Sequence, residues 1–227
     1  MDREDIRSAV RTVTVLESTS VSDTFINLLI NQGLQEIAVA SDWPWMATSA
    51  TVSLADSTRT AALPADFLHA VSLVDDDVDE PLPFVSHGEF FDRVGNDTGN
   101  ESASPSMWTV YENDIYFSPI PSSNDTDRYT LYYYATPAVL DSDDDVPPFA
   151  TAYHWILVEY CKWKLYEREE YYDVAEQSFN TYARYLDDMI AFYGRRVAGH
   201  PGVYGIGGSR NYGMFRYDPN LPWWNRL

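Results

Sequence analysis

The spacing of apolar residues changes twice along this chain, and those changes constrain the architecture more than any single motif. After Ser22 or Asp23, both suited to cap a helix, apolar side chains recur at Ile26, Ile30, Gly33, Ile37 and Ala40, which is a helical period. Trp43-Pro44-Trp45 ends that run, because proline disfavours helix at the residue before it. Between Thr48 and Thr136 the pattern becomes short alternating stretches divided by turn formers. Ser49–Leu54, Thr58–Leu63, Ala70–Val74, Leu82–Val85, Met107–Tyr111, Ile115–Ser118 and Tyr129–Tyr134 read as strands, with a hairpin at Glu112-Asn113-Asp114. That spacing predicts a small antiparallel sandwich or barrel. His87–Val94 reads as a short helix and Gly95–Ser104 as a polar loop.

Past the acidic linker Asp141–Pro148 the helical period returns. Tyr153, Ile156, Leu157, Tyr160 and Lys164 line one helix face. Tyr172, Ala175, Phe179, Tyr182, Leu186, Met189 and Tyr193 then step alternately by three and four, so a break near Arg168–Tyr171 folds the two into an αα-hairpin. A short helix over Arg3–Val10 is expected near the start, with Thr12-Val13-Thr14-Val15 opposing its continuation. The predicted fold is α+β. A helical bundle (N-terminal helix plus C-terminal αα-hairpin) comes from residues 1–46 and 146–194, a β-sandwich or barrel is inserted at 47–145, and an extended arm occupies 195–227. Tyrosine-rich helix faces should bury rings while keeping hydroxyls on partners or water.

Charge separates the arm from the body. Residues 195–227 hold five arginines (Arg195, Arg196, Arg210, Arg216, Arg226) and one acid, Asp218, while the other 194 residues hold ten basic and 34 acidic side chains. The arm is glycine-rich, too much so for a packed core, yet it carries Tyr212, Phe215, Tyr217, Trp223, Trp224 and a terminal Leu227. Arginines and aromatics anchor interfaces, so these residues read as a segment that orders against a partner chain. The plainer alternative is a tail folded back over its own domain. A net charge of −20 excludes a phosphate-gripping body, which needs clustered cations. Asp exceeding Glu and Arg replacing Lys fit either a GC-rich genome or a high-salt cytoplasm, a possible halophile; unfolding in low and molar salt separates the two.

No catalytic signature is present. His69, His87, His154 and His200 share no metal-ligand spacing, and His154, opening a helix, reads as a cap or rim residue. Cys161 lies among apolar neighbours as an inert thiol, and one cysteine excludes a disulfide framework. The clusters Asp75–Glu80 and Asp141–Asp145 could take calcium in principle, but lack the glycine and terminal glutamate of an EF-hand and read as solvated turns. No cofactor, metal or catalytic residue is therefore expected. No apolar run approaches the ~18 residues that cross a bilayer, and the polar start lacks a signal-peptide core, so a soluble, intracellularly made protein is expected.

Several local motifs occur in a telling order: Asn31-Gln32-Gly33-Leu34-Gln35-Glu36-Ile37 before Asp42-Trp43-Pro44-Trp45, Leu63-Pro64-Ala65-Asp66-Phe67-Leu68, and Ile115-Tyr116-Phe117-Ser118-Pro119-Ile120-Pro121. Tyr129–Pro137 with Leu140, then Tyr153-His154-Trp155-Ile156-Leu157-Val158-Glu159-Tyr160 after Pro147-Pro148, complete the set. Together they resemble the head-to-tail adaptor proteins of tailed viruses, including the podovirus tail tubular proteins, over roughly residues 22–194. The resemblance implies a structural protein of the virion neck, assembled in the host cytoplasm as a dodecameric ring beneath the portal that extends the DNA channel. Implied partners are the portal protein, a tail or stopper protein below, further copies of the chain, and passing genomic DNA that is not specifically bound; no membrane is involved. In such adaptors the C-terminal segment often reaches into the portal, which suits the arm. Two other readings compete. Seven tryptophans and 17 tyrosines suit a ligand- or carbohydrate-binding sandwich decorated with helices, although many of those tyrosines fall on the helical core stripes. An enzyme built on the aspartate clusters lacks anything to shift their pKa values.

Overall fold

The computed structural model describes residues 1–14, 21–95, 101–102 and 104–198. The chain divides into two compact units, Met1–Ser41 with Val139–Leu227, and Asp42–Ala138. The second unit is one continuous stretch, and the first is assembled from the chain on either side of it.

The first unit is helical. Helix α1 (Arg3–Val13) opens with a capping box in which Asp2 accepts from the Asp5 N–H and Asp5 reaches back to the Asp2 N–H. The remaining free N–H groups of its first turn find carbonyls in the acidic linker: Arg3 N donates to Asp145 O (2.8 Å) and Glu4 N to Asp143 O (3.1 Å). The helix runs past Val10 to Val13, with Thr12 and Thr14 turning their hydroxyls back onto Ser8 O and Val10 O, each at 2.8 Å. Ile6 and Val10 are fully buried. Helix α2 (Asp23–Ala40) is capped by Ser22, whose side chain accepts from Phe25 N, and it buries Ile26, Ile30, Gly33 and Ile37 as its spacing requires.

A 3₁₀ turn (Thr151–Tyr153) leads into α4 (Trp155–Arg168), which is buried almost all round, with Ile156, Leu157, Val158, Tyr160, Cys161 and Leu165 inaccessible or nearly so. Its sequence face of Ile156, Leu157 and Tyr160 is thus only part of what it buries, because α1, α2 and α5 all pack on it. Each fully buried large aliphatic or aromatic side chain contributes about 1.5–3 kcal/mol. The chain reverses at Glu169-Glu170, where Glu170 adopts φ +63°, and α5 (Tyr172–Ala198) returns along α4. Ala175, Phe179, Tyr182, Met189 and Tyr193 of its stripe are buried, whereas Tyr172 at its start is exposed. Phe179 packs on Trp163 at 4.8 Å between centroids, and Tyr182 on Tyr160 at 5.5 Å.

The second unit holds the strands β1 (Ala47–Leu54), β2 (Thr60–Ala62), β3 (Phe67–Asp75), β4 (Glu80–Pro81), β5 (Glu101–Ser102), β6 (Met107–Tyr111), β7 (Asp114–Ser118), β8 (Ile120–Pro121) and β9 (Asp125–Ala135), with α3 (His87–Val94) between β4 and β5. One antiparallel sheet has the order β1-β9-β3-β4, a second has β2-β7-β6, and β5 and β8 form a short parallel pair. The two antiparallel sheets share one core. Val52, Leu54, Leu73, Tyr129, Leu131 and Tyr133 come from the first, Trp108, Ile115 and Phe117 from the second. Tyr129, Leu131 and Tyr133 alternate along β9, the period that puts every second side chain inside. The β6–β7 hairpin closes on a two-residue turn with Glu112 at φ +53°.

The expected strand Leu82–Val85 is displaced. The strand ends at Pro81; beyond it Leu82 N still donates to Leu73 O at 2.8 Å, and Phe84 makes an isolated bridge to Trp108. Pro81 and Pro83 lack the N–H groups a ladder needs, which is why this apolar stretch does not continue as a strand.

Candidate partner-binding site

The helix that leads into the candidate arm is fixed near its end. Tyr193 of α5 is buried and its hydroxyl accepts from Ala150 N at 2.9 Å, while Phe192 packs on Tyr153 at 5.4 Å between centroids. Tyr153 also donates its hydroxyl to Asp188 O at 3.4 Å. These contacts tie the end of α5 to the segment that precedes α4. The helix continues through Arg195 and Arg196 to Ala198, so the first two candidate docking residues lie on a helix rather than on an extended strap. Arg210, Tyr212, Phe215, Arg216, Tyr217, Trp223, Trp224, Arg226 and Leu227 lie outside the described residues.

The two aspartate clusters do something the sequence reading missed. Asp75 is buried, and both its oxygens are taken by Arg128, from Nε at 2.9 Å and from Nη2 at 2.7 Å. Arg128 also reaches Asp125 at 3.3 Å, and Asp125 in turn accepts from the Tyr129 hydroxyl at 3.1 Å. The Arg128 guanidinium holds the Asp75 carboxyl below its ordinary value, a direction that its hydrogen bond outweighs burial to produce. In the other cluster Asp143 accepts from Arg3 (2.8 Å) and Arg7 (2.9 Å), which lowers its pKa to about 2. Asp145 meanwhile caps the N–H groups of Asp141 and Ser142, each at 2.7 Å. Both clusters therefore act as clasps closing distant chain segments, rather than as solvated turns throughout. Asp75 and Asp143 each stand more than fifty residues from the arginines that hold them, so no local spacing could reveal those pairs.

The histidines are scattered in chemistry as well as in sequence. His69 stacks on Tyr134 with Nε2 3.2 Å from Asp42, and His87 stacks on Tyr111 at 4.3 Å. His154 does occupy the N-cap position of α4, as expected, but its side chain makes no capping hydrogen bond and it is not a rim residue. It is fully buried, with Nδ1 2.9 Å from Met1 O and Nε2 3.0 Å from Phe149 O. Burial pushes its pKa down, and a neutral ring can donate to only one of those carbonyls. Cys161 is buried with its thiol pKa raised by desolvation. Among the described residues no group of histidine, cysteine and acidic side chains could hold a metal, and no helix is long and apolar enough to cross a membrane.

The helical unit also exposes several large apolar side chains. Leu28 and Val39 stand 60% and 71% accessible on the face of α2 opposite its buried stripe, and Tyr171, Tyr172 and Ile190 are exposed on the α4–α5 hairpin. A helical wheel of α2 shows the first pair, since both lie off the line through Ile26, Ile30, Gly33 and Ile37. The family model for SU10 adaptor protein matches residues 1–203. The chain belongs to the SU10 adaptor protein family. That match spans both units and all of α5, and among curated proteins nothing matches. The adaptor is thus a structural virion protein that connects head to tail, with the portal and the tail as its partners, and not an enzyme.

Proposed function

We propose that the adaptor assembles as a dodecameric ring under the portal, extends the DNA channel, and docks onto the portal through residues 195–227. The observation that carries this reading is the reversal of charge and composition at the end of α5. An acidic body of 34 carboxylates is followed by a segment with five arginines and one acid, ending in Trp223-Trp224-Asn225-Arg226-Leu227. Guanidinium groups make bidentate bonds to carboxylates, and indoles supply rigid apolar area at little entropic cost. The tethered root at Tyr193 supports it, because a segment leaving a fixed helix end explores less space before docking. Several such arms on one ring act together through effective concentration. The body's negative charge suits a wall past which phosphates must slide without sticking. Exposed Leu28, Val39 and Ile190 supply apolar area for contacts between neighbouring copies.

Truncation after Ala198 tests the reading. The shortened adaptor should fold with an unchanged melting temperature and fail to co-sediment with portal particles. Normal portal attachment of the truncated protein sinks it.

A further inference from the structure

Three of the four lateral edges of the two antiparallel sheets are guarded. Strand β4 has two residues, one of them Pro81. The outer edge of β6 is covered, since Trp108 N donates to Pro83 O (3.1 Å) and Val85 N to Trp108 O (3.0 Å). Strand β2 is three residues long. Strand β1 is different: it has eight residues, pairs only with β9, and is the outer strand of its sheet.

The hydrogen-bond phase of β1 shows what it offers. Ala135 N donates to Met46 O at 2.9 Å, and the register runs on from that pair as Ala47 with Tyr134 and Thr48 with Tyr133. In an antiparallel ladder alternate residues point both backbone groups at the partner strand. Thr48 and Ala50 therefore face β9, while Ala47, Ser49 and Thr51 turn their N–H and C=O groups off the sheet. Among the described residues none of those groups has a backbone partner. Ala47, Ser49 and Thr51 are exposed, and the one bulge in β1 comes later, between Val52 and Leu54. No charged side chain occurs from Trp43 to Ala55, in a chain that is 22% charged. Open edges are ordinarily blunted by lysine, proline or shortness, and this one has none of these.

We propose that β1 receives an extended strand from the C-terminal segment of a second copy, centred on residues 210–217. This rests on the ring reading, which sets copies side by side. A chain of charge −20 repels its own copies, so a seam between them needs a neutral strip or opposite charge. The pairing supplies both: β1 is neutral, and Arg210 and Arg216 bracket the incoming strand. Asp56 and Asp127 stand at the Leu54 end of β1, where Asp127 accepts from the Ser53 hydroxyl at 3.0 Å. Residues 202–218 contain no proline, and Tyr212, Phe215 and Tyr217 are aromatic side chains of the kind enriched in strands. The eleven residues 199–209 span at most ~36–40 Å when extended. This narrows the portal-docking part of residues 195–227 to Leu221–Leu227, with residues 210–217 taken up by the neighbouring copy.

The test is a disulfide between two full-length variants, one carrying Ser49→Cys and the other a single cysteine placed in turn at each position from 211 to 215. Mixed under oxidation, they should give a covalent heterodimer at one or two of those positions. Separately, Ser49→Pro removes an outward N–H without touching the β9 ladder. It should leave the melting temperature of the single chain unchanged and weaken copy–copy association at least tenfold; Ser49→Lys should do the same. A bond at no position in the scan, or one that forms only within a further variant carrying both cysteines on one chain, overturns the proposal. If rings on portals are still seen by negative stain in that case, the strand is wrong and the ring stands. If no rings form either, both fall.

Discussion

Gly33 of α2 lies directly against the ring of Tyr160 in α4: a Cβ at Gly33 would sit 2.7 Å from Tyr160 Cδ1 and 2.9 Å from Cγ. One turn along α2, Glu36 Oε1 accepts the Tyr160 hydroxyl at 2.6 Å. The missing side chain at 33 thus lets an aromatic ring enter between two helices, and the carboxylate at 36 holds its far end.

Gly33→Ala is expected to destabilise the adaptor by about 1–3 kcal/mol, the usual cost of forcing extra volume into a packed core. Helix propensity alone predicts the reverse, a gain of roughly 1 kcal/mol. Urea unfolding of the variant decides between them, because the two effects have opposite signs.

Tyr160→Phe keeps the ring and removes the hydrogen bond. A loss of about 1–3 kcal/mol is expected, since Glu36 then loses its charge-assisted partner. A double-mutant cycle with Glu36→Gln should show coupling; strictly additive losses would mean the 2.6 Å contact contributes nothing.

Arg128→Met strips the counter-charge from Asp75 and Asp125, whose side chains are 7% and 8% accessible. Removing one partner of a buried ion pair costs roughly 3–5 kcal/mol. The β-unit should therefore melt well below the helical unit, as followed by near-ultraviolet dichroism of Trp108.

Acid should release α1. Arg3 and Arg7 lower the Asp143 pKa to about 2 from an ordinary value of 3.8. A depressed carboxyl contributes stability that is complete above pH 3.8 and is lost as pH falls through about 2. Asp143→Asn should flatten the pH dependence of stability across that window, and an unchanged profile would show that the clasp carries no linkage.

The helices and most strands were legible because periodicity is local. The stripes of α2 and α5 and the alternation of Tyr129, Leu131 and Tyr133 each report a buried face from a dozen residues of sequence. Leu82–Val85 reads as a strand by its apolar content, but the missing donors of Pro81 and Pro83 decide the outcome. The roles of Asp75, Asp143 and His154 were not legible. Each depends on a partner from a distant part of the chain, Arg128, Arg3 with Arg7, and Met1, brought near only by folding. The candidate arm was visible by composition alone, and composition cannot say that α5 carries Arg195 and Arg196 within its last turn.

A cryo-electron microscopy map of the adaptor bound to its portal measures the central claim most directly. The account predicts a ring of adaptors with Trp223 and Trp224 of each copy seated on portal surface. A map in which residues 195–227 lie wholly on their own subunit contradicts it.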